Sequence, residues 1–133
     1  VRAGGRGDVT ETHKLWEVTT GANVTSPVYH DGYIYWASDK AVQCCLKASD
    51  GEVVYRERLP TRARIYASII RAGEKLYVTT RDQGVVVLAA KPEYEELAIN
   101  VIESDAGLVN ASPAVVGNQL LQRTDAFLYC IGE

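Results

Sequence analysis

Ser26-Pro27-Val28-Tyr29-His30-Asp31-Gly32-Tyr33-Ile34-Tyr35-Trp36-Ala37-Ser38-Asp39 decides the fold, because the chain writes this sentence three times. Ser68-Ile69-Ile70 leads through Gly73-Glu74 into Leu76-Tyr77-Val78 and then Thr80-Arg81-Asp82. Ser112-Pro113-Ala114 leads through Gly117-Asn118 into Leu120-Leu121 and then Thr124-Asp125. The serines Ser26, Ser68 and Ser112 are spaced by 42 and 44 residues, and Asp39, Asp82 and Asp125 by 43 each. Each unit continues into an apolar run: Val42 to Leu46, Val85 to Leu88, Phe127 to Ile131. Short β-branched and aromatic segments parted by Asp-Gly and Gly-Asn signals read as strands and tight turns. A period of about 40–45 residues made of such strands predicts an all-β chain of propeller blades, four-stranded antiparallel sheets set around an axis.

Within a unit the order is strand, turn, strand, turn, strand, with a fourth strand after a further turn. Asp50-Gly51 precedes Glu52 to Glu57, and Lys91-Pro92 precedes Tyr94 to Ile99. The third unit has no such strand before Glu133. His13 to Val18 reads as a fourth strand with no first three before it, Trp16 taking the place of Tyr55 and Leu97. The expected layout is an irregular Gly-rich segment over 1–11, a fourth strand over 12–20, and blades over 23–60, 64–102 and 108–132. About three blades are too few to close a ring of the usual ~4–8. Either the chain is part of a larger propeller, or copies associate, a dimer giving six blades. Strand alternation puts Tyr33 and Tyr35 on one face and Ile34 and Trp36 on the other, so a terminal blade would leave one face and one edge open.

Composition sets the outer limits. The 133 residues are 47% hydrophobic and 23% charged, as in a globular domain. No apolar run approaches the ~18 residues of a membrane span. A net charge of −3 and a pI near 5.4 argue against a general nucleic-acid binder, which needs a basic face. The sequence has no methionine and opens at Val1, so it reads as a piece of something longer or a processed form. Three cysteines make no disulfide framework. Cys44 and Cys130 each stand five residues after a repeat aspartate, where Val87 stands in the middle unit, which predicts a small buried slot.

The pattern Ser26-Pro27, Asp31-Gly32, Tyr35, Ser38-Asp39, Cys45-Leu46, Ala48, Asp50-Gly51 and Tyr55 resembles the PQQ-like propeller repeat, which usually carries Trp at the last place, as Trp16 does. The resemblance runs over about 12–131. The family includes quinoprotein alcohol dehydrogenases, the propeller lipoprotein of outer-membrane β-barrel assembly, and bacterial proteins related to serine/threonine kinases. It implies a periplasmic or otherwise extracytoplasmic location. No kinase chemistry follows, since His-Arg-Asp and Asp-Phe-Gly triplets and a phosphate loop are missing from the sequence.

No catalytic set stands out. Some quinoprotein dehydrogenases carry an adjacent-cysteine disulfide beneath the quinone, and Cys44-Cys45 invites the comparison. Neighbours in a strand point to opposite faces, so the pair reads as core, and a PQQ cofactor is not expected. Asp39, Asp82 and Asp125 read as turn caps, because a recurring residue serves structure where a catalytic one would be singular. With Trp16, Ser26, Tyr55, Ser68 and Ser112 they form the structural repeat. Arg56, Arg58, Arg62 and Arg64 make the main basic cluster, a candidate patch for an anionic ligand or acidic partner, or else a charged strand edge that blocks pairing. The expectation is a non-catalytic propeller module, a scaffold for a protein partner. The alternatives are a fragment of a PQQ-dependent dehydrogenase and the sensor segment of a kinase-related protein.

Overall fold

A computed structural model describes residues 1–132. One helical turn, α1 (Thr10–His13), precedes eleven strands in three antiparallel sheets. Blade 1 holds β1 (Val28–His30), β2 (Tyr33–Ala37), β3 (Val42–Lys47) and β4 (Val53–Arg58). Blade 2 holds β5 (Ile70–Ala72), β6 (Lys75–Thr79), β7 (Val85–Ala89) and β8 (Glu96–Asn100). Blade 3 holds β9 (Ala114–Val116), β10 (Gln119–Arg123) and β11 (Leu128–Ile131). Strands pair in sequence order, each with the next, as tight hairpins dictate. The last pair of blades 1 and 2 carries the same bulge, between Cys45 and Leu46 and between Val87 and Leu88.

Side-chain alternation builds the core between blades. Tyr35, Ala37 and Cys45 of blade 1 pack against Leu76, Val78, Val86 and Leu88 of blade 2, with Ile65 and Ile69 closing the cluster. All of these are buried. Tyr55 and Tyr94 meet edge to face across the same interface, ring centroids 5.8 Å apart. Ile34, Trp36, Cys44 and Leu46 project from the opposite face, as alternation requires. That face is not wet: Trp16, Val18 and Ala22 cover it.

Residues 12–20 therefore depart from the strand expected there. Part of α1 occupies 12 and 13, and residues 14–20 join no sheet among the described residues. A strand needs an edge to pair with, and this segment lies across the face of blade 1 instead. The Trp16 Nε1–H donates to the Ala48 carbonyl at 3.0 Å, and the indole lies on Gly51.

The ladders also correct the alignment of the repeats. The loop closing β2 and β3 runs from Ser38 to Val42, that closing β6 and β7 from Thr80 to Gly84, and that closing β10 and β11 from Thr124 to Phe127. Counted from the hairpins, Arg81 stands where Asp39 and Asp125 stand, and Asp82 comes one residue later. Tyr35 opposes Cys45, Tyr77 opposes Val87 and Leu121 opposes Cys130. So Cys45, not Cys44, shares its slot with Val87 and Cys130. By the same ladders Tyr55 corresponds to Ala98, not Leu97. Cys130 is exposed, because blade 3 has neither a fourth strand nor a neighbour over it among the described residues.

The turn caps differ from expectation too. Hydroxyls do the capping: Val42 N–H donates to Ser38 Oγ (3.2 Å), Gln83 N–H to Thr80 Oγ1 (2.9 Å) and Phe127 N–H to Thr124 Oγ1 (3.0 Å). A hydroxyl at the first position of the loop reaches the loop's own N–H groups more directly than the carboxylates that follow it. Of the carboxylates, Asp125 accepts Leu108 N–H at 3.0 Å, while Asp39 pairs with Arg64.

Burial fixes the alkaline behaviour of this core. Desolvation pushes the Cys45 thiol up to about 11 from 9.0 and raises the Tyr35 and Tyr55 hydroxyls. The folded state then holds protons the unfolded chain has released, so stability falls as pH rises from about 9 through 11. Urea midpoints should be flat from pH 7 to 8.5 and decline from 9 to 11. Cys44 and Cys45 should stay unreactive to thiol reagents until unfolding.

Candidate interaction site

The outer strands of blades 1 and 2 present opposite chemistries. On β4 the exposed residues are Val53, Arg56, Glu57 and Arg58, and the three charges at its end discourage a further strand. On β8 Leu97 and Ile99 are 43% and 45% exposed, and Val101 follows at 58%. Among the described residues strand β8 pairs only with β7, so its outer edge carries N–H and C=O groups without a strand partner beside apolar side chains.

The end of β8 runs into a cleft between blades 2 and 3. This cleft has a volume of about 1010 Å³, and Tyr77, Val101, Val115, Leu120, Tyr129 and Ile131 are among its walls. Between blades 1 and 2 Tyr55 meets Tyr94, whereas Ala98 holds the place of Tyr55 on β8. Where the blades do touch, the contact is polar: Thr79 Oγ1 and Gln122 Oε1 lie 3.2 Å apart. At one end Tyr129 donates to Asp105 (2.8 Å), which also accepts Thr124 Oγ1 and Gly107 N–H. Those bonds, led by the Gly107 N–H, hold the Asp105 carboxyl below the usual range.

The arginines do not all converge. Arg58, Arg62 and Arg64 stand at the blade end that carries the Ser38 and Thr80 turns, and Arg56 lies back along β4. Arg58 donates to the Lys40 carbonyl (3.2 Å), and Arg64 pairs with Asp39 at 3.2 Å. The Arg62 N–H donates to Gln83 Oε1 (3.1 Å), with its side chain exposed. Arg81, absent from the sequence-based set, stacks its guanidinium over Tyr66, 5.3 Å from the ring centroid. Cys44 and Cys45 are free and buried, opposite Arg56 and Tyr55 on different faces of the sheet. Among the described residues no three His, Cys, Asp or Glu side chains gather as metal ligands would, and no helix is long and apolar enough to cross a membrane.

Sequence reasoning placed Leu97 and Ile99 in a fourth strand but gave them no part in a site. The signal was present: Leu97-Ala98-Ile99-Asn100-Val101 alternates apolar residues where β4 reads Arg56-Glu57-Arg58.

Sheets of this order, two complete and one of three strands, define a run of β-propeller blades. The chain belongs to the PQQ-like repeat family described as outer membrane protein assembly factor BamB, whose model matches residues 7–126. Three solved structures share the fold, each with a TM-score of 0.56. The quinohemoprotein alcohol dehydrogenase ADHIIG from Pseudomonas putida HK5 is 17% identical, over 81% of this chain and 18% of its own. BamB from Moraxella catarrhalis is 12% identical, over 89% and 49%. The computationally designed Ika4 protein is 6% identical, over 89% and 96%. At these identities the likeness is one of fold. The chain spans about half the length of that BamB and under a fifth of the dehydrogenase. No curated protein is significantly similar to it in sequence.

Proposed function

We propose that the chain is a non-catalytic propeller module that binds an extended segment of a protein partner along the outer edge of β8. The observation that carries the reading is an open strand edge with half-exposed Leu97 and Ile99, whose end at Asn100 and Val101 borders an apolar cleft. A segment added there gains main-chain hydrogen bonds from the edge and specificity from alternate side chains in the cleft. The family's description as an assembly factor for outer-membrane proteins fits such a client, since outer-membrane barrels are built from strands of alternating hydrophobicity. Arg58, Arg62 and Arg64 offer an acidic stretch of the same partner a place at the blade end.

Selection from a phage-displayed library of random peptides tests this. Enrichment of sequences with alternating apolar residues is expected. Leu97→Lys and Ile99→Lys together should weaken the selected peptides at least about tenfold, roughly 1.4 kcal/mol. Both positions are half exposed, so circular dichroism should be unchanged. Failure to enrich any peptide, or equal affinity for the variant, would overturn the edge-binding reading.

A further inference from the structure

We infer that Arg81 selects the partner: the segment held along β8 carries an aspartate or glutamate side chain that enters a polar pocket at the end of that strand and pairs with the Arg81 guanidinium. The inference rests on the proposed function for the segment itself and adds the chemistry of one of its side chains.

Three observations carry it. The first is a break in the repeat. Counted from the hairpins, Asp39, Arg81 and Asp125 hold one position. The two aspartates have structural partners there: Asp39 pairs with Arg64, and Asp125 accepts the Leu108 N–H. Arg81 reverses the charge. Among the described residues its guanidinium is in no ion pair, and its Nε–H is enclosed without an acceptor. A half-buried cation without an anion is costly. A recurring residue serves structure, whereas a singular one that breaks a local rule at a cost marks a functional position.

The second is that Arg81 is held ready. Its N–H donates to the Arg64 carbonyl (2.8 Å), and its carbonyl accepts the Val109 N–H (2.8 Å). The Tyr66 ring backs the guanidinium at 5.3 Å. With Nε closed off, an incoming group is met end-on by the two terminal nitrogens, Nη1 and Nη2. Two N–H donors in one plane match the two oxygens of a carboxylate. Little ordering remains to be done when the ligand arrives.

The third is the place. Arg81 stands on the wall of a pocket of about 60 Å³ between blades 2 and 3. Val85, Asn100, Val101, Ile102 and Gln122 line both this pocket and the larger cleft, so a side chain from a segment on β8 reaches it past the end of the strand. Other polar groups of the pocket are already engaged. Thr80 Oγ1 donates to the Gly84 carbonyl, Thr124 Oγ1 to Asp105, and Thr79 Oγ1 to Gln122 Oε1. Asp82 and Asp105 also line the pocket, and Asp105 accepts the Gly107 N–H and the Thr124 and Tyr129 hydroxyls. These two carboxylates limit the ligand's charge. Arg81 balances one negative charge, and a second one, as on a phosphate, would meet like charges unopposed. The exposed Arg62 side chain can only steer an acidic segment toward this end of the blades.

The same phage selection, on the full chain, should return peptides with Asp or Glu at one fixed distance from the alternating apolar residues. A synthetic peptide of that kind should bind at least about tenfold more tightly than its twin with Asn or Gln at that place, a comparison that needs no protein variant. Arg81→Gln should cost the acidic peptide at least about tenfold and leave the amide twin unchanged, with an unaltered circular dichroism spectrum. Arg62→Gln should cost less than about threefold, and that loss should vanish in about 1 M salt, where the screening length is ~3 Å. Equal affinity for the two peptides would overturn the inference. So would an acid preference that survives Arg81→Gln, an equal loss for both peptides, or tighter binding of a phosphoserine peptide. In each of those cases a loss of binding on Leu97→Lys with Ile99→Lys would leave the edge reading standing, whereas failure to enrich any peptide would overturn both.

Discussion

Replacing Gly84 by alanine is expected to lower the unfolding midpoint by about 10 °C, corresponding to about 3 kcal/mol. Gly84 closes the loop between β6 and β7 at φ +82°, a conformation that costs an L-residue about 1–3 kcal/mol. Its carbonyl accepts both the Thr80 N–H (2.9 Å) and the Thr80 hydroxyl (2.7 Å), so the loop has no freedom to turn the residue over. A Cβ there would collide with the Asn100 carbonyl and crowd Val101 Cγ2 at 2.9 Å. Relief requires pulling the end of β8 away from Val85, its partner in the ladder. Gly117→Ala is the control, since it also has positive φ (+58°) but meets nothing within 4 Å. Thermal melts of the two variants should separate by more than about 5 °C, with the smaller loss at 117. Equal losses would mean that φ alone sets the cost and that β8 is not held against this loop.

The contrast between these two glycines shows what a repeat tells and what it hides. The period made the blades legible because tight hairpins and alternating strands are local devices, readable from Asp31-Gly32 or from the run Tyr33 to Trp36. That Tyr33 and Tyr35 share one face and Trp36 lies on the other followed from alternation; that the first face meets blade 2 did not. Loop length was less legible. Asp82 matches the spacing of Asp39 and Asp125, yet the hairpin ladders put Arg81 in their place. One residue of slip exchanges the faces of a strand, which is why Cys44 was paired with Cys130 where Cys45 belongs. The N-terminal segment departs from the reading: Trp16, matched to Tyr55, packs on the face of blade 1, and among the described residues its segment joins no sheet. The edge of β8 and the cleft beside it were not read at all. They depend on which side chains of neighbouring blades face each other, such as Tyr77, Leu120 and Tyr129 around the cleft, and not on spacing along the chain.

A difference between the two blade interfaces sets the second large effect. Leu76→Ala is expected to cost about 3–4 kcal/mol, within the range of about 2–5 for truncating a buried leucine. Leu76 is fully buried among Tyr35, Cys45, Val86 and Leu88, and the strands on either side are held by their ladders, so the space left cannot collapse. Leu120, on β10, lines the open cleft between blades 2 and 3 and is only half buried. Leu120→Ala should cost about 1 kcal/mol, since the atoms removed were already next to solvent and no closed cavity remains. Urea unfolding followed by tyrosine and tryptophan fluorescence measures both. Against a total stability of about 5–15 kcal/mol, the first variant should shift the midpoint clearly at unchanged m-value and the second should hardly move it. A Leu120→Ala loss as large as that of Leu76→Ala would mean that blades 2 and 3 close on each other in solution. The cleft would then be filled by the chain's own side chains, and the β8 edge would have no apolar floor to offer a partner.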